Sequence, residues 1–533
     1  MQRQQTDCPW WQRGVIYQIY PRSFQDSNGD GVGDLAGIEA RLDYVAALGV
    51  DAIWLSPVFP SPMADFGYDV ADYCGIEPMF GDLAAFDRLL AAAHARGLKL
   101  LLDFVPNHSS DQHPWFAESR ASRDNAKRDW YIWRDAAPGG GPPNNWISDF
   151  GGSAWEWDAA TGQYYLHAFL KQQPDLNWRN PAVRAAMMDV LRFWLDRGVD
   201  GFRIDVLWHI VKAEGFPDNP VNVDWTPDRT ERDRLIQRHS TDQPEAHAIS
   251  ADFRALADSY GERVLVGEIF LPNDRHARWF GTPERPQVHL PFNFQLIENR
   301  WDAAVLRGVI AAYEASLPAH GWPNWVFGSH DAPRIAARIG DAQARVAAML
   351  LLTLRGTPTL YQGDEIGIGE VPIPPERVRD PQDLRQPGIG IGRDRSRTPM
   401  PWDGSPFAGF SRVEPWLPLN PDWPKRNVAA QSADPGSLLM LYRSLLTLRR
   451  AQDALSIGDF ALVDADEEVL AFERRHGDDR LLVALNLGTQ RRRLPLPAHG
   501  AIGAVLASTL PPRVLDGSLA PDEGLVLRLE EAR

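Results

Sequence analysis

Cysteine is almost absent from this chain, with only Cys8 and Cys74 among 533 residues. One pair is no disulfide framework, and no CxxC or Cys/His spacing suited to zinc occurs. Long apolar runs are missing too. The longest, Val346 to Leu354, falls far short of the roughly 20 residues a membrane helix needs. The start, MQRQQTDCPWWQRGVIY, lacks the apolar stretch of a secretory signal, so a cytoplasmic protein is expected. There is no excess of basic residues: 55 Lys and Arg stand against 71 Asp and Glu, a formal charge of −16. That balance argues against a phosphate-binding surface and hence against nucleic acid as a partner. No period of 20–50 residues repeats, which excludes solenoids and propellers.

What is present is a globular composition, 44% hydrophobic and 24% charged. The length exceeds what one ordinary core serves, so two or three structural units are expected. Tryptophan occurs 20 times. A large aromatic core explains that count, and so does a site stacking the flat faces of sugars; composition alone does not separate the two.

Short apolar runs alternate with stretches of helical spacing. Gly14–Tyr20, Val50–Val58, Leu98–Val105, Gly201–Val206, Arg263–Ile269, Val288–Phe294, Trp325–Gly328 and Thr357–Tyr361 read as buried strands. Gly37–Leu48, Leu83–Arg96, Pro181–Arg197 and Ala246–Ala257 read as helices between them. Eight near-continuous apolar strands separated by helices predict an α/β protein with parallel βαβ units, a (β/α)8 or TIM barrel. A doubly wound sheet fits the same alternation. The barrel is expected over 1–105 and 175–455, with an inserted domain at 106–174 after the third strand. A long Pro-, Gly- and Arg-rich loop at 366–415 follows the eighth strand, and loops of that length are usually functional. From 456 to 533 the pattern turns to alternating strands, predicting a C-terminal antiparallel β-sandwich.

Active sites of such barrels sit at the C-terminal ends of the strands. Strand three ends in Asp103 and runs on to Asn107-His108; strand four ends in Arg203-Ile204-Asp205, strand five in Glu268, strand seven in His330-Asp331. A lone carboxylate there is usually a helix cap, but four with an Arg and two His beside them are not. Arg203 and Asp205 stand two apart and project to the same side of the sheet. An Arg beside an Asp favours its ionised form, as a nucleophile needs, whereas the apolar setting of Glu268 favours the protonated form, as a general acid needs. Two carboxyl groups in unequal settings are the equipment of glycoside cleavage. Ser329-His330-Asp331 has the letters of a serine-hydrolase triad, but consecutive strand residues face opposite ways, and no GxSxG elbow exists.

Gly31-Val-Gly33-Asp-Leu-Ala36 formally matches a dinucleotide fingerprint, yet Asp26, Asp30 and Asp34 crowd it and repel a pyrophosphate. The better reading puts oxygen donors Asp26, Asn28, Asp30, the Val32 carbonyl and Asp34 at the spacing of an EF-hand-like loop, with Gly37 where the closing Glu belongs. A structural Ca2+, or Mg2+, is the expected occupant, and no organic cofactor is expected.

The motifs GVIYQIYPRSFQDSNGDGVGDLAGI, DFGYDVADY, DFVPNH, QQPDLNW, GFRIDV, VGEIF, GSHDAPR and RTPMPWD follow in order almost end to end. With them the chain resembles the α-amylase family of glycoside hydrolases, family 13, in its α-glucosidase/oligo-1,6-glucosidase branch. The resemblance implies Asp205 as nucleophile, Glu268 as acid/base and Asp331 as third carboxylate. It implies Arg203, His108 and His330 around the reacting glucose, Tyr68 as a stacking platform, and Phe150 and Phe169 as aromatic walls. Asp65 and the Arg before T-P-M, Arg397, are expected to hold the non-reducing end. The implied activity is a retaining exo-acting α-glucosidase with transglucosylation; an oligo-1,6-glucosidase or a disaccharide isomerase such as trehalose synthase are the alternatives. The implied partner is a small glucoside, with no membrane, and the protein a monomer or homodimer. Ser329 replaces the family's usual Asn, and Pro401 its usual Gln. Val206 after the nucleophile accompanies α-1,6 preference, whereas Leu207–Asn222 looks like enzymes of α-1,4 preference.

Overall fold

The computed structural model describes residues 8–497 and 500–531. All eight expected strands form, the first seven shorter than their apolar runs and the eighth with the expected bounds: β1 Ile16–Ile19, β2 Ala52–Leu55, β3 Lys99–Phe104, β4 Gly201–Ile204, β5 Val264–Glu268, β6 Leu290–Asn293, β7 Asn324–Val326 and β8 Thr357–Tyr361. They pair in parallel, each with its sequence neighbours, and β8 closes on β1 with Ile16 opposite Thr359. The ring is a closed (β/α)8 barrel, and the doubly wound alternative is gone. Strand residues are buried almost throughout because one face fills the barrel interior and the other meets the helices.

The surrounding helices start where the sequence supplies caps. Asp82 accepts the amide of Ala85 ahead of Leu83–Ala95, and Asn180 accepts that of Ala182 ahead of Pro181–Asp196. The helix expected at Gly37–Leu48 is two, Leu35–Ala40 and Leu42–Leu48, broken at Arg41. Most of the tryptophan excess is core: Trp178, Trp194, Trp279 and Trp325 are fully buried.

After β3 the chain leaves the barrel and builds a three-stranded antiparallel sheet from Trp133–Arg134, Gln163–Leu166 and Trp155–Asp158. Trp146, Trp155, Leu166 and Phe216 form part of a small core of its own. At the C-terminus a five-stranded antiparallel sheet holds Asp459–Val463, Val469–His476, Asp479–Asn486, Gly524–Glu531 and Gly500–Ser508 in that spatial order. Alternation sorts its faces: Leu470, Phe472 and Val483 join the barrel core, whereas Val469, Ala471 and Leu482 meet Leu494 and Leu519 of a two-stranded ribbon. The second layer is thus that ribbon, a lopsided sandwich. The strand Gly500–Ser508 carries no sequence alternation, and two register shifts interrupt its pairing. Among the described residues no helix is long and apolar enough to cross a membrane.

Candidate active site

The strand-end carboxylates converge on a cavity of ≈ 370 Å³. At its floor one guanidinium gathers three of them. Arg203 Nη1 lies 2.7 Å from Asp103 Oδ1 and 2.6 Å from Asp205 Oδ1, and Nη2 lies 2.7 Å from Glu268 Oε2. Arg203 and Asp205 do share a side, as period-2 geometry requires. The electrostatic expectation needs correction, because Arg203 binds both carboxylates and cannot by itself set them apart. Burial, stronger than the pull of Arg203, raises both Asp205 and Glu268 above the ordinary carboxyl range; the charges of Glu268 and Asp103 push Asp205 up further, and the charge of Asp331 does so for Glu268. The two therefore titrate as a pair that retains one proton readily. Asp103, for which the sequence suggested no role, is pushed by burial up to about 6 despite Arg203, and accepts from Trp54 Nε1 and Tyr68 Oη.

The chain turns sharply after Asp205. Val206 has φ 36° and ψ 45°, a left-handed conformation that a β-branched residue adopts at a cost. That turn aims the Val206 amide at Glu268 Oε2, 2.8 Å away. Glu268 Oε2 thus receives two donors, Arg203 and this amide.

Tyr68 and Asp65 arrive on the turn Asp65-Phe66-Gly67-Tyr68-Asp69, where Phe66 and Gly67 both have positive φ. Asp69 fastens the turn by accepting the amides of Ala64 and Asp65. Tyr68 stacks on His330 with centroids 5.4 Å apart and planes at 5°, and its hydroxyl meets His330 Nε2 at 2.8 Å. Burial drives His330 down to about 3 and His108 to about 4, so both rings are neutral at pH 7. Gln18 Nε2 donates to His330 Nδ1, which leaves the ring proton on Nε2, facing Tyr68 and Asp331. His108 accepts from Asn107 Nδ2 at Nδ1 and donates from Nε2 to the Tyr68 carbonyl, with its ring 5.0 Å from that of Phe169. Phe150 and Phe169 both line the cavity.

Ser329, His330 and Asp331 lie beyond the end of β7 rather than within it. Among the described residues Ser329 only accepts the Asp331 amide and makes no bond to a His. Burial acts to raise Asp331, but His330, Arg393 and Arg397 outweigh it and hold the carboxyl below its usual range. Arg397 differs from its expected place. It is buried, donates to Asp331 Oδ1 at 2.6 Å and to the His330 carbonyl, and does not touch Asp65. The partner of Asp65 is Arg393, whose Nη2 lies 2.8 Å from Asp65 Oδ1 and 2.7 Å from Asp380 Oδ1, while Nη1 lies 3.3 Å from Asp331 Oδ1. The turn Asp394–Ser396 between the two arginines explains the exchange: it sends Arg393 into the cavity and Arg397 behind it.

A collar around the mouth has no local signal in the sequence. Arg232, after β4, pairs with Asp149 of the insertion at 2.6 Å and reaches His209 Nε2 at 3.2 Å. Glu231 accepts the Gly152 amide and donates its own amide to Gln386, while Arg385 donates to the Phe150 and Gly151 carbonyls. Three loops are thereby knitted on one side of the cavity.

In the loop 26–34, Asp26 accepts the amides of Gly29 and Gly31, Asn28 that of Asp30, and Asp30 that of Val32. Asp26, Asn28 and Asp30 carry oxygen donors of the kind a Ca2+ or Mg2+ ion takes, and here those oxygens accept main-chain amides of the loop. Asp34 is placed differently, since its oxygens cap the helix Leu35–Ala40 at Gly37 and take both donors of Ser27. Among the described residues no three His, Cys, Asp or Glu side chains form a metal-holding group.

With this geometry established, comparison with known proteins is direct. Residues 18–458 match the model of the α-amylase catalytic domain. The chain is 43% identical over 528 residues to a probable alpha-glucosidase of Rhizobium meliloti (strain 1021), covering 94% of this chain and 95% of that protein. It is 39% identical to an oligo-1,6-glucosidase of Parageobacillus thermoglucosidasius, with 92% of each covered. Among solved structures, the alpha-glucosyl transfer enzyme XgtA superposes with a TM-score of 0.92 at 41% identity, covering 98% of this chain and all of that one. The trehalulose synthase of Pseudomonas mesoacidophila MX-45 superposes at 0.91 and 36% identity, covering 98% of this chain and all of that one. The chain belongs to the α-amylase family, glycoside hydrolase family 13, and is a glycoside hydrolase of its α-glucosidase type.

Proposed function

We propose that the protein is a retaining, exo-acting α-glucosidase that releases α-glucose from the non-reducing end of short α-glucosides and also passes glucose to hydroxyl acceptors. The observation that carries this reading is Arg393 bridging Asp65, Asp380 and Asp331. In this reading those contacts close the cavity behind one sugar, so that a glucan chain does not run through it. A cluster of buried charges is costly unless its groups are satisfied, and the terminal hydroxyls of glucose supply donors and acceptors there.

In this reading an Asp205 oxygen attacks the anomeric carbon while Glu268 protonates the departing glycosidic oxygen, so one C–O bond forms as another breaks. Glu268, now ionised, takes a proton from water, whose oxygen displaces Asp205 from the same carbon. The two inversions restore the α configuration. Arg203 faces both carboxylates and offsets the charge that passes between them. Asp331, held ionised, accepts sugar hydroxyls and stabilises the positive charge that develops at the anomeric carbon. A sugar hydroxyl in place of water gives transglucosylation. Incubation with maltose and with sucrose tests the reading: glucose release is expected, whereas accumulation of an isomeric disaccharide in its place favours a disaccharide isomerase.

We further propose a structural Ca2+ or Mg2+ at Asp26, Asn28, Asp30 and the Val32 carbonyl, with Asp34 as a neighbouring cap. Its contribution is to fix the loop after β1; none of the catalytic steps passes through it.

A further inference from the structure

Lys212 stands in the segment after β4, is buried, and is not one of the residues that line the catalytic cavity. Burial acts against its charge, and the carboxylate of Asp175 acts to keep it. Its ammonium meets three oxygens: Asn107 Oδ1 at 2.8 Å, Asp175 Oδ2 at 2.6 Å and the His209 carbonyl. These come from the segment just after β3, from the chain's return out of the insertion, and from the turn after β4.

An ammonium donates and never accepts, so it can face only the oxygen of the Asn107 carboxamide. The amide nitrogen is thereby turned towards His108, whose Nδ1 lies 3.1 Å from Asn107 Nδ2. Burial drives His108 down to about 4, so at pH 7 one ring nitrogen carries the proton and the other is bare. Asn107 takes Nδ1 as its acceptor. The proton is left on Nε2, 3.2 Å from the Tyr68 carbonyl, on a ring that lines the carboxylate cavity.

The far side of the ring holds a competing donor. Gln173 Nε2 lies 3.1 Å from His108 Nε2, and Gln173 is fixed in that orientation: its oxygen accepts the Leu170 amide, and its nitrogen also reaches Asp65 Oδ2 at 3.2 Å. With Asn107 reversed, its oxygen would accept from Nδ1, and Gln173 would donate to a bare Nε2. Only the first arrangement leaves the ring a proton to give on Nε2. The ammonium excludes the second, because reversal would turn the Asn107 amide group against it.

We infer that Lys212 is a positioning residue: by fixing Asn107 it selects the His108 tautomer that offers an Nε2 proton to a hydroxyl of the reacting sugar. The inference rests on the glucosidase reading, in which His108 borders that sugar. Lys212 touches no sugar itself and acts through two intervening side chains.

Lys212→Met removes the ammonium and keeps an unbranched chain of similar length. Nuclear magnetic resonance of protein carrying histidine labelled with the heavy nitrogen isotope reads the tautomer, with His108→Ala identifying the signals. The proton is expected on Nε2 in wild type, and on Nδ1 or shared between the two in Lys212→Met. A wild-type tautomer in the variant overturns the inference. Kinetics supply the second readout. Lys212→Met is expected to lower kcat/KM for the disaccharide that wild type cleaves by about tenfold, but by less than about threefold in a His108→Ala background, since the effect passes through that ring. Equal losses in both backgrounds are what a merely structural lysine gives, and they overturn the inference. Should Lys212→Met fail to fold, Lys212→Met/Asp175→Leu, which strands no buried carboxylate, replaces it in both measurements. Wild type that frees no glucose defeats the glucosidase reading instead, and the tautomer measurement still decides whether Lys212 sets the ring.

Discussion

Arg393 and Asp65, which are 328 residues apart in sequence, meet at 2.8 Å in the lining of the carboxylate cavity. One comes from the loop after β8 and the other from the loop after β2. The pair therefore forms only when the barrel has closed and both loops have folded over it.

Arg393→Ala is expected to lower kcat/KM for disaccharides by about 10²-fold, the loss of charged hydrogen bonds at the reacting sugar, and also to lower the melting temperature, since buried Asp65 and Asp380 lose their cation. Arg397→Ala is expected to lower both activity and melting temperature, since Arg397 is buried beneath Asp331. Steady-state kinetics on protein shown by thermal melts to be folded at the assay temperature measure each effect. Near-normal kinetics for Arg393→Ala remove the pocket-closing role.

Glu268→Gln removes the proton donor but keeps the shape of the side chain. Turnover of maltose or isomaltose is expected to fall by about 10²–10⁴-fold. Bond cleavage in an aryl α-glucoside with an acidic phenol leaving group is expected to fall much less, because that group departs without a proton. Equal losses on both substrates, followed through the released phenol, would falsify the acid assignment.

The eight strands were legible because both of their faces are buried, which writes each one as a continuous apolar run. Asp205, Glu268 and Asp331 were legible because strand ends are where such runs meet charge. Arg393 was not, since Arg393, Arg395 and Arg397 are equally spaced in sequence and only the turn at Asp394–Ser396 decides which faces inward. The collar of Asp149 and Arg232 joins segments about 80 residues apart, a contact that local periodicity never shows. The strand Gly500–Ser508 escaped because small residues exposed on an edge need no alternation. Val206 reads as one more strand residue, yet it is a strained turn that serves Glu268.

His113 supplies a pH test away from the site. It is buried, accepts the Trp115 amide through Nδ1, and is driven by burial down to about 4. Between pH 4 and its ordinary value near 6.5 the unfolded chain binds a proton there that the folded protein refuses. Stability from this group therefore rises with pH through that window, by up to about 1.4 kcal/mol per pH unit, and is lost on acidification. His113→Asn keeps a helix-capping oxygen and lacks the titration. Denaturant unfolding at pH 4.5 and 6.5 is expected to show a flatter pH dependence in the variant; an identical slope contradicts the assignment.

Removal of divalent cations is expected to lower the melting temperature by several degrees while low-temperature turnover persists, because the loop 26–34 carries no proposed acid or base. The melt and the assay are run with a chelator and again after Ca2+ or Mg2+ is restored. A folded, metal-free protein without any activity would rule out a purely structural ion.

The central claim is double displacement by Asp205 with Glu268 as acid/base. Retaining carboxyl pairs stand about 5–5.5 Å apart, whereas inverting pairs leave room for a water between them. Proton NMR of the first glucose released, read before mutarotation, tests the claim most directly. The account predicts α-glucose as the first-formed anomer, and β-glucose appearing first would contradict it.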